Sequence, residues 1–361
     1  MAENKKLQDV VQFGRLLALV LAVFSVFTYL VTLALGPVLF FSTTDGLAEA
    51  ARHLLGLPVD VFMFISLPRI PLPISHGGLF LALCIIFVGC IVAAAFSCGG
   101  FFKSIRESLS KPIAIAKTNF LYLMPIVATG LFTATILISE FQAKEGVQTG
   151  SLNYPAQTNP YYILLNLAYA PIDEEFAFRI TTIGIPIAII LLYSYRNDAR
   201  LAGIKKRIGL FLLTLFSPEL AKSKLGHKTV AANGVIHGIS PPEWALILVT
   251  SVLFGFAHYL AGSGWEIGKV TTACLAGFVF AIMYVSYGAY ADILLHWFFN
   301  YYFTVLDYGS TAYGAAFTGF ANVTALVNLA AGGVVMFFLL IIWAFKLANY
   351  LSLRATGATP A

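Results

Sequence analysis

Apolar runs long enough to cross a bilayer recur along the whole chain, and no other feature restricts its fold as much. About 30 Å of hydrocarbon takes roughly 20 helical residues. Eight stretches qualify, at about 16–40, 79–101, 120–139, 171–195, 244–260, 270–287, 289–306 and 325–348. In hydrocarbon every backbone N–H and C=O needs a partner inside the protein, which leaves helices as the spanning structure for runs of this length. Composition agrees: 59% of the 361 residues are hydrophobic and 11% charged, against roughly 25% charged in a soluble domain. The expected architecture is all-α, a polytopic membrane protein of about eight transmembrane helices forming a single membrane domain over 1–361. The polar start MAENKKLQDVVQFGR lacks the short apolar core and small-residue cleavage site of a removable leader, so the first span is expected to stay.

Charge is placed unevenly along the chain. Seventeen basic residues lie in the N-terminus, the 102–119 and 196–243 loops and the tail, against four (Arg52, Arg69, Lys144 and Lys269) on the other side. The positive-inside rule puts the seventeen, and both termini, in the cytoplasm of a cell-membrane protein. Lys103, Arg106, Lys111, Lys117 and the basic residues of 196–243 are therefore read as topology signals, and no nucleic-acid partner is expected. Within 196–243, KKRIGLFLLTLF has basic residues leading an apolar stripe, which predicts an interfacial helix. The outer connection 42–78 predicts a short helix at DGLAEAARHLLG, capped by Asp45, followed by an irregular Pro-rich LPRIPLPI. Cys84, Cys90, Cys98 and Cys274 show no metal-like spacing and read as packed thiols, while His53, His76, His227 and His237 read as solvated loop residues.

The costly stretch is PIDEEFAFR, 171–179, which places three acids and an arginine against the apolar TTIGIPIAIILLYSY. Proline disfavours helical geometry in the residue before it and suits a helix's first turn. A helix is therefore expected to begin near Pro171, with Asp173, Glu174 and Glu175 in a first turn whose dipole favours anions. Glu175 and Arg179 are four apart and share a face, so they are expected to pair. Glu174 and Arg179 are about 140° apart around the helix, which leaves Glu174 available. Intramembrane ionisable residues are candidates for function.

Two histidines extend that candidacy. His258 ends SVLFGFAH on the fifth span; His296 and Asn300, in HWFFN, are four apart on the seventh and project from one face. Followed along the expected topology, Glu174, His258, His296 and Asn300 all fall in the outer half of the bilayer.

In order on successive spans, EEFAFR (174–179) fits E-E-x-x-x-R, FGFAH (254–258) fits F-x-x-x-H, and HWFFN (296–300) fits H-x-x-x-N. Together they resemble the CPBP family of intramembrane proteases, also called the Abi or CAAX-protease family, whose Ras-converting members trim prenylated C-terminal tails. The resemblance implies a catalytic core at 171–302 around a membrane-embedded cavity. It also implies a glutamate-dependent peptidase acting on membrane-associated proteins that are lipidated or anchored at the C-terminus. Glu174 would be the general base on water and His258 would hold that water. His296 and Asn300 would donate to the oxyanion, with Glu175 and Arg179 as an orienting ion pair. No cofactor is expected. A zinc ion on Glu174, His258 and His296 is the alternative, though HExxH is missing and Asn300 is a poor zinc ligand. A non-catalytic scaffold or immunity-type relative and a proton-coupled transporter are the other readings. An outward-facing site suits exported substrates better than the cytosolic tails of the prenyl-trimming relatives. No feature of the sequence sets an oligomeric state.

Overall fold

The computed structural model describes residues 2–54, 56–63, 65–70, 73–110 and 118–355. Lys111 and Lys117, with Leu55, Pro71 and Leu72 of the outer connection, lie outside them. The chain is a multi-pass membrane protein, nearly all helical. Among the described residues seven helical segments are long and apolar enough to cross a membrane: Leu16–Ser42, His76–Gly99, Phe120–Lys144, Pro160–Ser194, Pro241–Leu260, Ile267–Tyr287 and Ala315–Ile341. They correspond to the first six and the last of the expected spans.

The remaining one, expected at 289–306, is also helical and runs as α13 (Ala289–Trp297), a π-helical turn (Phe298–Tyr302) and α14 (Phe303–Tyr313). Asp292, His296, Asn300 and Asp307 make it too polar to qualify on hydropathy. It survives as a span because it sits at the centre of the bundle, where Trp297, Phe298, Tyr301 and Tyr302 are wholly buried. Tyr29 packs edge-on against Trp297, Phe298 and Tyr302. Tyr301 and Tyr302 are thus core residues and not part of an interfacial aromatic belt.

The first helix, α1 (Ala2–Ser42), leads into α2 (Thr44–Ala50), which Thr43 and not Asp45 caps by accepting from the Gly46 N–H at 3.1 Å. An antiparallel hairpin follows, β1 (Leu57–Phe62) and β2 (Ile65–Ile70), so the Pro-rich run is a strand over 67–70 where irregular backbone was expected. Helix α3 (His76–Phe96) returns across the bundle, and α4 (Phe101–Ser110) precedes α5 (Phe120–Lys144). The Asn119 side chain donates to the carbonyls of Ala94 and Ser97, both at 2.7 Å, and so ties the end of α3 to the start of α5. Cys98 is exposed in a left-handed turn at the end of α3, not packed. His76 is buried and bonds through Nδ1 to the wholly buried Glu49 at 2.6 Å, so it is not a solvated loop residue.

The decisive departure from expectation is at Pro171. Helix α6 (Pro160–Glu175) passes through it, continues as a π-helical segment (Phe176–Gly184) and ends as α7 (Ile185–Ser194), a single 35-residue path. Proline removes one backbone donor, yet the buried stripe Leu164, Ala168, Pro171 and Glu175 holds both halves in line. The hydroxyls of Thr181 and Thr182 both donate to the Ala177 carbonyl, at 2.8 and 2.7 Å, where the π register leaves acceptor capacity open. The three acids therefore lie near the middle of a helical path, beyond the reach of a helix dipole confined to the first turn.

On the basic side, α8 (Ile204–Phe216) packs Leu210 and Thr214 inward and leaves Ile204, Ile208, Leu212 and Phe216 exposed, a stripe at four-residue spacing. Helices α9 (Pro218–Leu225) and α10 (Val230–Gly238) complete that region before α11 (Pro241–Leu260), α12 (Ile267–Tyr287) and, after α14, α15 (Ala315–Ala355).

Candidate active site

Adjacent residues of one helix supply the two central carboxylates, and the turn between them sends each to a different environment. Glu175 is wholly buried and touches Arg179 Nη1 through Oε1 at 3.1 Å. The arginine is 1% exposed. Its guanidinium lies 4.2 Å over the Phe254 ring and donates from Nη2 to the Gly277 carbonyl at 3.4 Å. A Cβ on Gly277 would sit 2.9 Å from the Phe254 ring and 3.2 Å from Nη2, so only glycine admits the cation here.

Glu175 Oε1 has a second partner that spacing on its own helix could not show, because His296 Nδ1–H donates to it at 2.7 Å from α13. Nε2 of the same ring is therefore the acceptor in the neutral tautomer. It receives Asn300 Nδ2 at 3.1 Å. Glu174 Oε2 lies 3.8 Å from that Nε2, too far for a direct hydrogen bond. His258 donates Nδ1–H to its own Phe254 carbonyl at 2.9 Å, so its Nε2 is likewise an acceptor. Phe254 meets the guanidinium, the His258 ring at 4.8 Å and the His296 ring at 6.0 Å, which gives the F-x-x-x-H spacing a packing reason. Phe280 stacks on His296 from α12.

The structure thus gathers all six residues. Glu174, His258 and Asn300 line a cavity of about 540 Å³ that reaches the hairpin. His258, His296 and Asn300 line a second, of about 300 Å³, reaching α5. Phe254 and Lys269 border both cavities; the lysine ammonium rests 4.0 Å over Trp265. Among the described residues no three His, Cys, Asp or Glu side chains form a metal-ligand group. The fit to zinc is poor for a specific reason: His296 Nε2, its only free lone pair, already accepts from Asn300. The expected pair of oxyanion donors is also altered, since His296 cannot donate from Nε2 in this tautomer.

One residue went unnoticed in the sequence. Asp292, four before His296 on the same face, is wholly buried and interacts electrostatically with Glu175 and Arg179. The i, i+4 spacing of Asp292, His296 and Asn300 was the available signal. Asp173 accepts from the Asp60 N–H at 3.0 Å and from the Tyr169 hydroxyl at 2.8 Å, so it holds the hairpin against α6.

Residues 156–302 match the family described as type II CAAX prenyl endopeptidase Rce1-like. Over these residues the chain is similar to the CAAX-protease family. The match begins just before α6 and ends at Tyr302, so it encloses the six site residues, while α1 to α5, α14 and α15 lie outside it. The similarity supports, at a coarse level, a protease of the CAAX type. A comparison with curated proteins found no match, and neither did one with solved structures.

Proposed function

We propose that the chain is a glutamate-dependent intramembrane endopeptidase. Its substrates are membrane-associated proteins with a lipidated or C-terminally anchored tail, and Glu174 is the general base. The observation that carries this is the division of labour between the two acids. Arg179 and His296 engage Glu175, while Glu174 faces a cavity shared with His258 and Asn300 and its Oε2 has no hydrogen-bond partner among the described residues.

The hydrogen-bond roles suggest a sequence of steps. A water in the cavity donates one hydrogen to Glu174 and the other to His258 Nε2, which turns a lone pair on its oxygen towards the scissile carbonyl. Glu174 takes the proton as the C–O bond forms. Asn300 has two amide hydrogens; His296 holds one, and the other is free for the oxyanion. One such donor in a site sheltered from water contributes roughly 3–4 kcal/mol to the transition state. Glu174 then returns its proton to the leaving amine as the C–N bond breaks. His296 acts as a positioning residue: Glu175 fixes its tautomer and it in turn orients Asn300. No step is routed through a metal.

The excess of basic residues at the termini, the 102–119 loop and 196–243 supports cytoplasmic termini and an outward-facing site in the cell membrane. A cysteine placed in 145–159 is expected to react with an impermeant reagent on intact cells, and reaction only after lysis would reverse the orientation. The function itself is tested with the full chain in vesicles and a quenched fluorescent peptide ending in a prenylated CAAX tail. In parallel, proteins that accumulate uncut in cells carrying Glu174→Gln are identified. Cleavage by the wild type that survives a strong chelator and is lost in Glu174→Gln supports the proposal. Equal cleavage by both, or loss on chelation with recovery on added zinc, refutes the role given to Glu174.

A further inference from the structure

The hairpin presents an unsolved hydrogen-bonding problem next to the site. Its tip reaches the Met63 N–H, which donates to the Ala177 carbonyl at 3.3 Å, three residues beyond Glu174 along the spanning path. Sheet edges facing lipid do not occur at such depth, because unpaired backbone groups there need water or protein as a partner. The outer edge of β1 meets that need through α6. The Tyr169 hydroxyl donates to the Pro58 carbonyl at 2.5 Å, and the Asp60 N–H donates to Asp173.

This arrangement fixes which way β2 points. The Asp60 N–H turns away from β2, so Asp60 and its partner Ser66 form a pair without ladder hydrogen bonds. Their side chains are correspondingly close, with the Ser66 hydroxyl donating to the Asp60 carboxylate. In such a pair both residues turn their backbone groups outward, so the Ser66 N–H and C=O face the far edge of β2. Among the described residues neither meets a partner. Pro68, two residues on, falls on the same edge, where its missing N–H costs the hairpin nothing. Ser66 also borders the cavity that holds Glu174, His258 and Asn300.

We infer that the far edge of β2 seats the substrate as an added strand, with Ser66 exchanging two main-chain hydrogen bonds with one substrate residue. This rests on the protease reading above and names how that site takes its substrate. An extended peptide is the one occupant that brings donors and acceptors at the spacing the edge presents, and strand addition is a general mode of peptide recognition.

The test is an ester scan. Each amide of a cleaved peptide is replaced in turn by an ester, which removes the N–H and keeps the shape, and kcat/KM is measured with the full wild-type chain in vesicles. One ester, at the substrate residue that pairs with Ser66, is expected to lower kcat/KM about tenfold, mainly through KM. Ser66→Pro, which removes the edge N–H, is expected to raise KM by a similar factor with kcat retained. Should Ser66→Pro fail to fold, the ester scan on the wild type decides alone. Uniform tolerance of every ester outside the scissile bond overturns the pairing and leaves the protease reading standing. Absence of cleavage of any peptide overturns both.

Discussion

The bundle buries two charge clusters of the same make-up, each with two carboxyls around one cation, and only one of them looks like a reaction site. At the first cluster Arg179 faces Glu175 and Asp292. At the opposite end Lys222, 1% exposed, meets Glu243 at 3.0 Å and Glu219 at 3.8 Å. Glu219 accepts from the N–H groups of Val230 and Ala231, and Glu243 from that of Ser240, so these oxygens are used within the protein itself. Those bonds clamp α9, α10 and the start of α11. In the Arg179 cluster Glu174 Oε2, Glu175 Oε2 and Asp292 Oδ2 have no hydrogen-bond partner among the described residues. A carboxyl–carboxyl contact accounts for the last two if the pair shares one proton, because two carboxylates cannot donate to each other. Glu174 alone is left facing a cavity. Buried charge therefore does not mark a site; an acceptor left over after the internal pairing does.

The contrast breaks most visibly at Glu174. Glu174→Gln keeps shape and removes the base, and a loss of about 10³-fold in kcat is expected with an unchanged melting temperature in detergent. A comparable loss from Glu219→Gln would dissolve the distinction between the clusters.

Removing either cation comes next. Arg179→Met and Lys222→Met each strand a buried carboxylate, and each is expected to cost roughly 3–5 kcal/mol in stability. The two should separate in activity per folded molecule. Arg179→Met frees the Glu175 oxygen that sets the His296 tautomer, so its folded fraction loses turnover. Lys222→Met touches only the clamp and keeps turnover. Active-site titration of the folded fraction alongside chemical denaturation measures both quantities. Equal turnover in the two variants would mean that the Glu175–Arg179 pair merely supports the fold.

A finer test concerns Asp292. If its carboxyl donates to Glu175, an amide can replace it: Asp292→Asn is expected to keep kcat within about threefold, while Asp292→Leu loses about tenfold, the size of one buried hydrogen bond. Turnover lost equally in both would show that Asp292 serves as an anion.

Much of the Arg179 cluster could be read directly from spacing, because helical spacing is local. The Glu175–Arg179 pair and the common face of His296 and Asn300 both follow from residues four apart. Contacts between distant elements carried no such signal. The bond from His296 to Glu175 joins residues 121 apart in sequence and reverses the donor role expected for Nε2. Pro171 misled for a related reason. Its local preference is to break a helix, but the buried stripe on either side of it outweighs one lost hydrogen bond. The prolines of the hairpin misled likewise, since whether a proline harms a strand depends on which edge it faces, and α6 decides that. His76 looked solvated because its partner, Glu49, is 27 residues away on another element. Hydropathy located the spans for the opposite reason: it sums over many residues and is insensitive to any one contact.

The smallest effect sharpens the comparison from the clamp's side. Burial pushes the Glu219 carboxyl above its ordinary range, and the N–H groups of Ala231 and Val230 only partly restore it. A carboxyl whose value is higher in the folded protein holds its proton more tightly there than in the unfolded chain. Its contribution to stability is complete below the unfolded value, 4.5, and is lost as pH rises through the folded one. Glu219→Gln does not titrate, so its stability relative to the wild type should rise from acid to neutral pH, with no change in turnover at either end. Denaturation curves of the two proteins across that range measure the slope. A slope of opposite sign would mean that Lys222 and the two N–H groups outweigh burial, which would make the clamp a site that favours the anion, as Arg179 does for Glu175.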